Sequence, residues 1–136
     1  MSEDFRIEQM SEAECWEVLD QERFGRLAVA VGGDPDIFPI NFLVDDGKLL
    51  MRTAAGTKLT ELVINSAVAV EADGQDQTEA WSVVLKGNAR MVDSLSETYA
   101  DDEKRLETWL PSEKPIYVEI TPRQLTGRRF YRNSGA

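Results

Sequence analysis

Two tight turns constrain the middle of this chain more than any other feature. Leu27, Val29 and Val31 alternate with Arg26, Ala28 and Ala30, the stretch Gly32-Gly33-Asp34-Pro35-Asp36 breaks the alternation, and a second run follows from Ile37 to Val44. Asp45-Asp46-Gly47 interrupts again before a third run that ends at Arg52. A period of two marks a strand with one buried face, and short turns between such runs permit only antiparallel pairing. Three strands in a meander therefore lie at the centre of the fold.

The flanking segments alternate between helix and strand signals. Ser11-Glu12-Ala13-Glu14 forms a capping box, with Cys15, Trp16, Val18 and Leu19 at helical spacing behind it, which predicts a helix from Ser11 to Gln21. After the meander, Leu59, Leu62 and Val63 recur as a short amphipathic helix requires, with Thr57 as its N-cap. Ala67 to Asp73 reads as a strand, and so does the long run from Trp81 to Val92, in which Gly87 marks a bulge or bend. A second capping box, Ser94 with Glu97, opens an acidic helix that reaches Leu110 and is stopped by Pro111. Ile116 to Ile120 and Gly127 to Tyr131 read as one closing strand or a bent pair. The expected fold is mainly β with an α+β character. Six antiparallel strands close as a small barrel with two or three flanking helices, and residues 1–136 form a single domain.

Composition excludes more chemistry than it supports. The chain has no histidine, which removes Ser-His-Asp and Cys-His catalysis, His-based zinc sites and haem held by an axial His of this chain. A single cysteine, Cys15, excludes an internal disulfide and reads as a structural thiol on the helix. Acids outnumber bases 25 to 15, for a formal charge of −10, which argues against nucleic acid as a partner. No apolar run approaches a membrane span, and the acidic start is unlike a signal peptide, so a cytoplasmic protein is expected.

Against this acidic background the stretch from Arg52 to Leu59 stands out, with two cations and two threonines around a strand-to-helix turn. A helix N-terminus favours anions and disfavours cations, so Lys58 in the first turn conflicts with the helix dipole. A bound phosphate would remove the conflict, with Arg52 arriving from the strand and Thr53 and Thr57 supplying hydroxyls. A plain alternative stands beside it: Thr57 caps the helix, Lys58 pairs with Glu61, and Arg52 snorkels over the strand edge. Phe38-Pro39-Ile40-Asn41-Phe42 is the second unusual stretch, because Pro39 cannot donate to a sheet ladder. It either protects an edge strand or leaves backbone groups, with the Asn41 amide, to meet a planar heterocycle. Trp81 shares a strand face with Val83 and Leu85, as a core residue or as the wall of a ring site. Arg128 and Arg129 form the only adjacent arginine pair, at a strand end where they would be solvated or would reach a phosphate or a partner subunit.

The order of these pieces resembles the pyridoxamine 5'-phosphate oxidase-like FMN-binding split-barrel family, in its short members. The matching stretches are Phe24 to Ala28, Phe38 to Phe42, Arg52 to Leu59, Trp81 to Gly87 and Thr126 to Phe130. The resemblance implies a six-stranded split barrel that forms a homodimer with one FMN at each of two sites on the subunit interface. It places the FMN phosphate on Arg52, Thr53, Thr57 and Lys58 and the isoalloxazine against the backbone of Pro39, Ile40 and Asn41. Trp81 and Ser82 would stand near the ring or the ribityl chain, and Arg129 near the cofactor at the rim. True pyridoxamine phosphate oxidases are longer and carry a histidine-containing substrate signature, so pyridoxal phosphate synthesis is not expected. The implied activity is a flavin-dependent oxidoreductase that passes electrons from a reduced nicotinamide to a small-molecule substrate. The alternative is a module that binds FMN, a deazaflavin or haem without turnover. In neither case does a protein residue act as catalyst.

Overall fold

Gly32 and Gly33 (φ 58° and 83°), like Asp46 and Gly47 (φ 49° and 72°), supply the two successive left-handed residues of a type I′ hairpin turn. In the computed structural model, which describes residues 5–53, 56, 61–62, 64–92 and 116–132, both turns join antiparallel strands. The elements are β1 (Phe5–Gln9), α1 (Glu12–Glu22), β2 (Phe24–Val31), β3 (Asp34–Asp45), β4 (Lys48–Thr53), β5 (Ala67–Gln75), β6 (Glu79–Val92) and β7 (Ile116–Arg132). Asp34, Pro35 and Asp36, expected in the turn, belong to β3, because two glycines alone reverse the chain and Val31 already pairs with Asp34.

The strand order is β1-β7-β4-β3-β2-β5-β6, and β6 also pairs with β7, so β7, β4, β3, β2, β5 and β6 close into a six-stranded ring. The expected mainly β split-barrel architecture is therefore present. A seventh strand, β1, lies outside the ring, on the end of β7 from Arg128 to Arg132. Ile116–Arg132 is one continuous strand rather than a bent pair. Its register against β6 slips between Lys86 and Gly87, leaving Arg123 as the extra residue. A Cβ on Gly87 would run into the Thr121 carbonyl, so the glycine expected at a bulge permits this one. The expected acidic helix from Ser94 to Leu110 lies outside the described residues.

Helix α1 starts on the foreseen capping box: Ser11 Oγ accepts from Glu14 N–H at 3.2 Å, and Glu14 Oε1 accepts from Ser11 N–H at 3.2 Å. Its buried residues Cys15, Val18 and Leu19 join Leu27, Val29, Ile40, Phe42, Leu49, Met51, Val83, Leu85 and Ile120 in the barrel core. Gly127 makes this contact possible, since a Cβ there would stand 2.7 Å from Cys15 Sγ and 2.9 Å from Met10 Sδ. A smaller cluster of Leu43, Leu50 and Tyr117 occupies the opposite sheet face. There the buried Glu119 carboxylate meets Lys48 Nζ at 3.5 Å and Arg90 Nη2 at 3.0 Å. Among the described residues no helix is long and apolar enough to cross a membrane.

Candidate functional site at the barrel split

The barrel opens between β3 and β4. Their last pair is Phe42 with Met51; beyond it β4 continues as Arg52 and Thr53 against Tyr117 and Ile116 of β7, while β3 continues from Asn41 back to Asp34, paired among the described strands with β2. In an antiparallel ladder, successive residues direct their main-chain groups to opposite sides. Phe42 N–H donates to the Arg23 carbonyl on the β2 side at 3.0 Å. The main-chain groups of Pro39 and Asn41 are therefore directed toward the side that β4 has left. Pro39 fits here because the missing N–H would have pointed into the opening rather than at β2.

Side-chain alternation sorts the same residues by face. Ile40 and Phe42 are buried in the core, so Pro39 and Asn41 lie on the outward face, Pro39 exposed and Asn41 half-buried. Arg52 shares that face with Leu50, and Nε of its half-buried side chain is fully buried with no hydrogen-bond partner among the described residues. Thr53 alternates to the core side and is 5% exposed. The split thus gathers Pro39, Asn41 and Arg52 on one surface, while Ile40 turns its side chain to the core and its main-chain groups toward Gly25 of β2. Thr57 and Lys58 lie outside the described residues.

Trp81, Ser82 and Arg129 lie elsewhere. Strand β6 stands three places from β3 whichever way the ring is followed, so Ser82 and Asn41 belong to opposite walls of the barrel. The Trp81 indole packs against the core and over Gly74, where a Cβ would stand 2.7 Å from the ring, and its N–H donates to Glu22 Oε1 at 2.8 Å. Ser82 alternates to the outward side. Trp81 and Ser82 border a cavity of about 430 Å³ with Asp73, Gly74, Ala80 and Phe130. Arg129 pairs directly opposite Trp81, and its guanidinium is half-buried in an ion pair with Glu79 at 3.0 Å.

Two polar clusters at this barrel escaped the sequence reading. Glu61, helical like Leu62 and Ile64, has a buried Oε2 without a donor, and a hydrogen bond with the Asp36 carboxyl, followed by burial and the charge of Asp34, raises its pKa to about 6. Two carboxyl groups satisfy one another only through a shared proton. On the outward face Arg26 Nη1 meets Glu71 Oε1 at 2.7 Å and Asp73 Oδ1 at 3.5 Å. Burial, then the neighbouring Asp73, raises the Glu71 pKa against the pull of Arg26. No local signal announces either cluster, since Asp36 and Glu61, like Arg26 and Glu71, meet only through strand pairing and helix docking.

Comparison with known proteins places this geometry in a family. The family model described as pyridoxamine 5'-phosphate oxidase matches residues 11–129. Mycobacterium tuberculosis Rv0080, an uncharacterized protein, is 32% identical over 135 residues, which cover 94% of this chain and 88% of that one. A crystal structure of a Corynebacterium glutamicum protein superposes with a TM-score of 0.83 at 39% identity, over 93% of this chain and 99% of that one. The FAD binding protein of Mycobacterium smegmatis gives a TM-score of 0.73 at 40% identity, covering 90% of this chain and 97% of that one. An FAD-binding protein of Mesorhizobium loti gives 0.82 at 25% identity, covering 94% and 99%. With the family model spanning all but the ends of the chain, this protein belongs to the pyridoxamine 5'-phosphate oxidase family.

Proposed function

We propose that the chain is a flavin-dependent oxidoreductase that works as a homodimer, with a flavin phosphate on Arg52 and the ring edge against Pro39, Ile40 and Asn41. The observation that carries the reading is the buried Nε of Arg52, without a hydrogen-bond partner among the described residues, beside the stretch of β3 that β4 has left. A guanidinium N–H without an acceptor in a partly desolvated place fits an anion, and a charge-assisted bond is the strongest way to satisfy it. The outward-directed main chain at Pro39 and Asn41 fits a heterocycle with alternating donors and acceptors on one edge. Thr57 and Lys58 complete the phosphate contacts in this reading.

A second copy enters for a geometric reason. Outward faces on opposite walls of one barrel diverge, so a ligand on Asn41 and Arg52 is out of reach of the same chain's Ser82. Two copies related by a two-fold axis would set one copy's split against the other's Trp81–Ser82 wall, giving two equivalent sites. Arg129 would act from that second wall, where Glu79 now holds it. The bound flavin supplies the electron and hydride chemistry. The chain's own residues bind it, orient it and keep water from one side.

FMN is the flavin this arrangement holds by its phosphate; the two FAD-binding relatives make FAD the second reading, and a deazaflavin a third. Protein purified without added cofactor is expected to show a flavin absorption spectrum, and acid extraction followed by chromatography identifies the nucleotide. Arg52→Ala combined with Lys58→Ala should abolish the spectrum. Colourless protein that cannot be reconstituted with FMN or FAD would refute the site. Anaerobic addition of NADH or NADPH should bleach the flavin, and a quinone or nitro compound should restore it. Flavin that no donor bleaches would assign the protein to cofactor binding without turnover.

A further inference from the structure

Beside the Trp81–Ser82 wall lies a second, larger cavity of about 650 Å³, bordered by β1, the β5–β6 turn and the end of β7. It shares Gln75, Ala80 and Phe130 with its smaller neighbour. Gln75 pairs with Ala80, Ala80 with Phe130, and Phe130 with Ile7, so these four residues form one row across four strands. Directly opposed residues share a sheet face, and three strand spacings make the row about 14 Å wide. Ala80, Phe130 and Ile7 form an apolar floor, and Ile7 is left 51% exposed at its edge.

The wall above this floor is held rigidly. Asp76 Oδ1 accepts from the N–H groups of Thr78 and Glu79, each at 2.8 Å, and from Thr78 Oγ1 at 3.1 Å. The Arg132 N–H ties the turn to β7 through the Thr78 carbonyl at 2.8 Å. Asp76 stays a charged carboxylate, with the Thr78 N–H first among the causes that lower its pKa, and its Oδ1 is taken up by its own turn, while Glu79 is paired with Arg129 at 3.0 Å. Arg132 has no carboxylate partner among the described residues. The cavity therefore joins an apolar, aromatic floor to a guanidinium that forms no ion pair among the described residues.

We infer that this cavity binds a planar aromatic carboxylate, its ring on Ala80, Phe130 and Ile7 and its carboxylate on Arg132. A guanidinium fork matches a carboxylate, a flat ring gains contact with the Phe130 side chain, and the volume falls within the usual range for a small-ligand site. Binding stands on the cavity alone; only a role for the ligand as substrate rests on the flavin reading, since the cavity adjoins Trp81 and Ser82.

The test is a titration of the purified full-length protein, followed in ¹⁵N–¹H spectra, with 4-nitrobenzoate and with neutral nitrobenzene. Saturable shifts are expected at Thr78, Ala80 and Phe130. Arg132→Met should weaken 4-nitrobenzoate about tenfold, the loss of one charge-assisted hydrogen bond, and leave nitrobenzene unchanged. Ile7→Glu, at a position already 51% exposed, should weaken the anion as well by placing a carboxylate at the floor. Shifts absent from these residues, or an Arg132→Met protein that binds 4-nitrobenzoate as before, would overturn the inference. Flavin content measured on the same samples separates the two readings: flavin retained without nitrobenzoate binding removes the cavity ligand only, and nitrobenzoate binding without flavin removes the cofactor only.

Discussion

Glu61 and Arg52 are buried at one oxygen and one nitrogen respectively, each without a conventional partner among the described residues, and they call for opposite remedies. Arg52 lacks an acceptor; Glu61 lacks a donor. The Glu61 pKa is raised from its ordinary value to about 6, chiefly by its hydrogen bond with Asp36, so the folded state favours the protonated form. The stabilisation is complete below the ordinary carboxylate range and is lost as pH rises through about 6. Glu61→Gln supplies a donor at every pH, so its melting temperature should match wild type near about pH 5 and exceed it above about pH 7, as thermal melts across that range would measure. An unchanged pH profile would mean that the shared proton does not hold Glu61 to β3. Arg52 was singled out in the sequence by its place before a threonine-rich turn, whereas its orphaned nitrogen became visible only once β4 had parted from β3. Glu61 entered the sequence reading only as a surface partner for Lys58; its meeting with Asp36 depends on tertiary placement that no local pattern encodes.

At the scale of elements, legibility followed the range of the interactions. The two hairpins, the α1 capping box and the Gly87 irregularity are written in neighbouring residues, and all three are present. Strand β1 was not read because its described side chains Arg6, Ile7, Glu8 and Gln9 are exposed and its partner lies at the other end of the chain. Trp81 reads from sequence as either core or ring wall, and its contacts with Gly74 and Glu22 place the indole against the core while it also borders a cavity. The docking of α1 is the most sensitive joint between elements. Gly127→Val should force Cys15 and Met10 away and cost about 1–3 kcal/mol by overpacking, read as a lower urea midpoint at unchanged slope. If stability is retained, α1 must be free to shift outward.

For the whole molecule, β3 and β6 oppose one another in the ring, and the proposed reading therefore calls for two chains at each site. Complementation tests this directly. A chain carrying Arg52→Ala with Lys58→Ala lacks one half of each site, and a chain carrying Ser82→Trp blocks the other. Each alone should bind no flavin, but co-refolded as a mixture they should recover one intact site in every mixed dimer. Recovery measured by flavin fluorescence after gel filtration supports a shared site, and failure of the mixture to bind would confine the site to a single chain.

The long strand β7 has a further consequence, for the order of folding. It pairs with β1, β4 and β6, and it is the strand through which β4 and β6 are joined into a ring. The meander from β2 to β4 can form from contacts close in sequence, but ring closure must wait for residues 116–132 to find partners that were made much earlier in the chain. Loop-closure entropy is spent on those distant pairings before they return any stability, so β7 is where this barrel's folding rate is set. Until it docks, the edges of β4 and β6 stand open to other chains, and the interval before closure is the period of greatest exposure to aggregation.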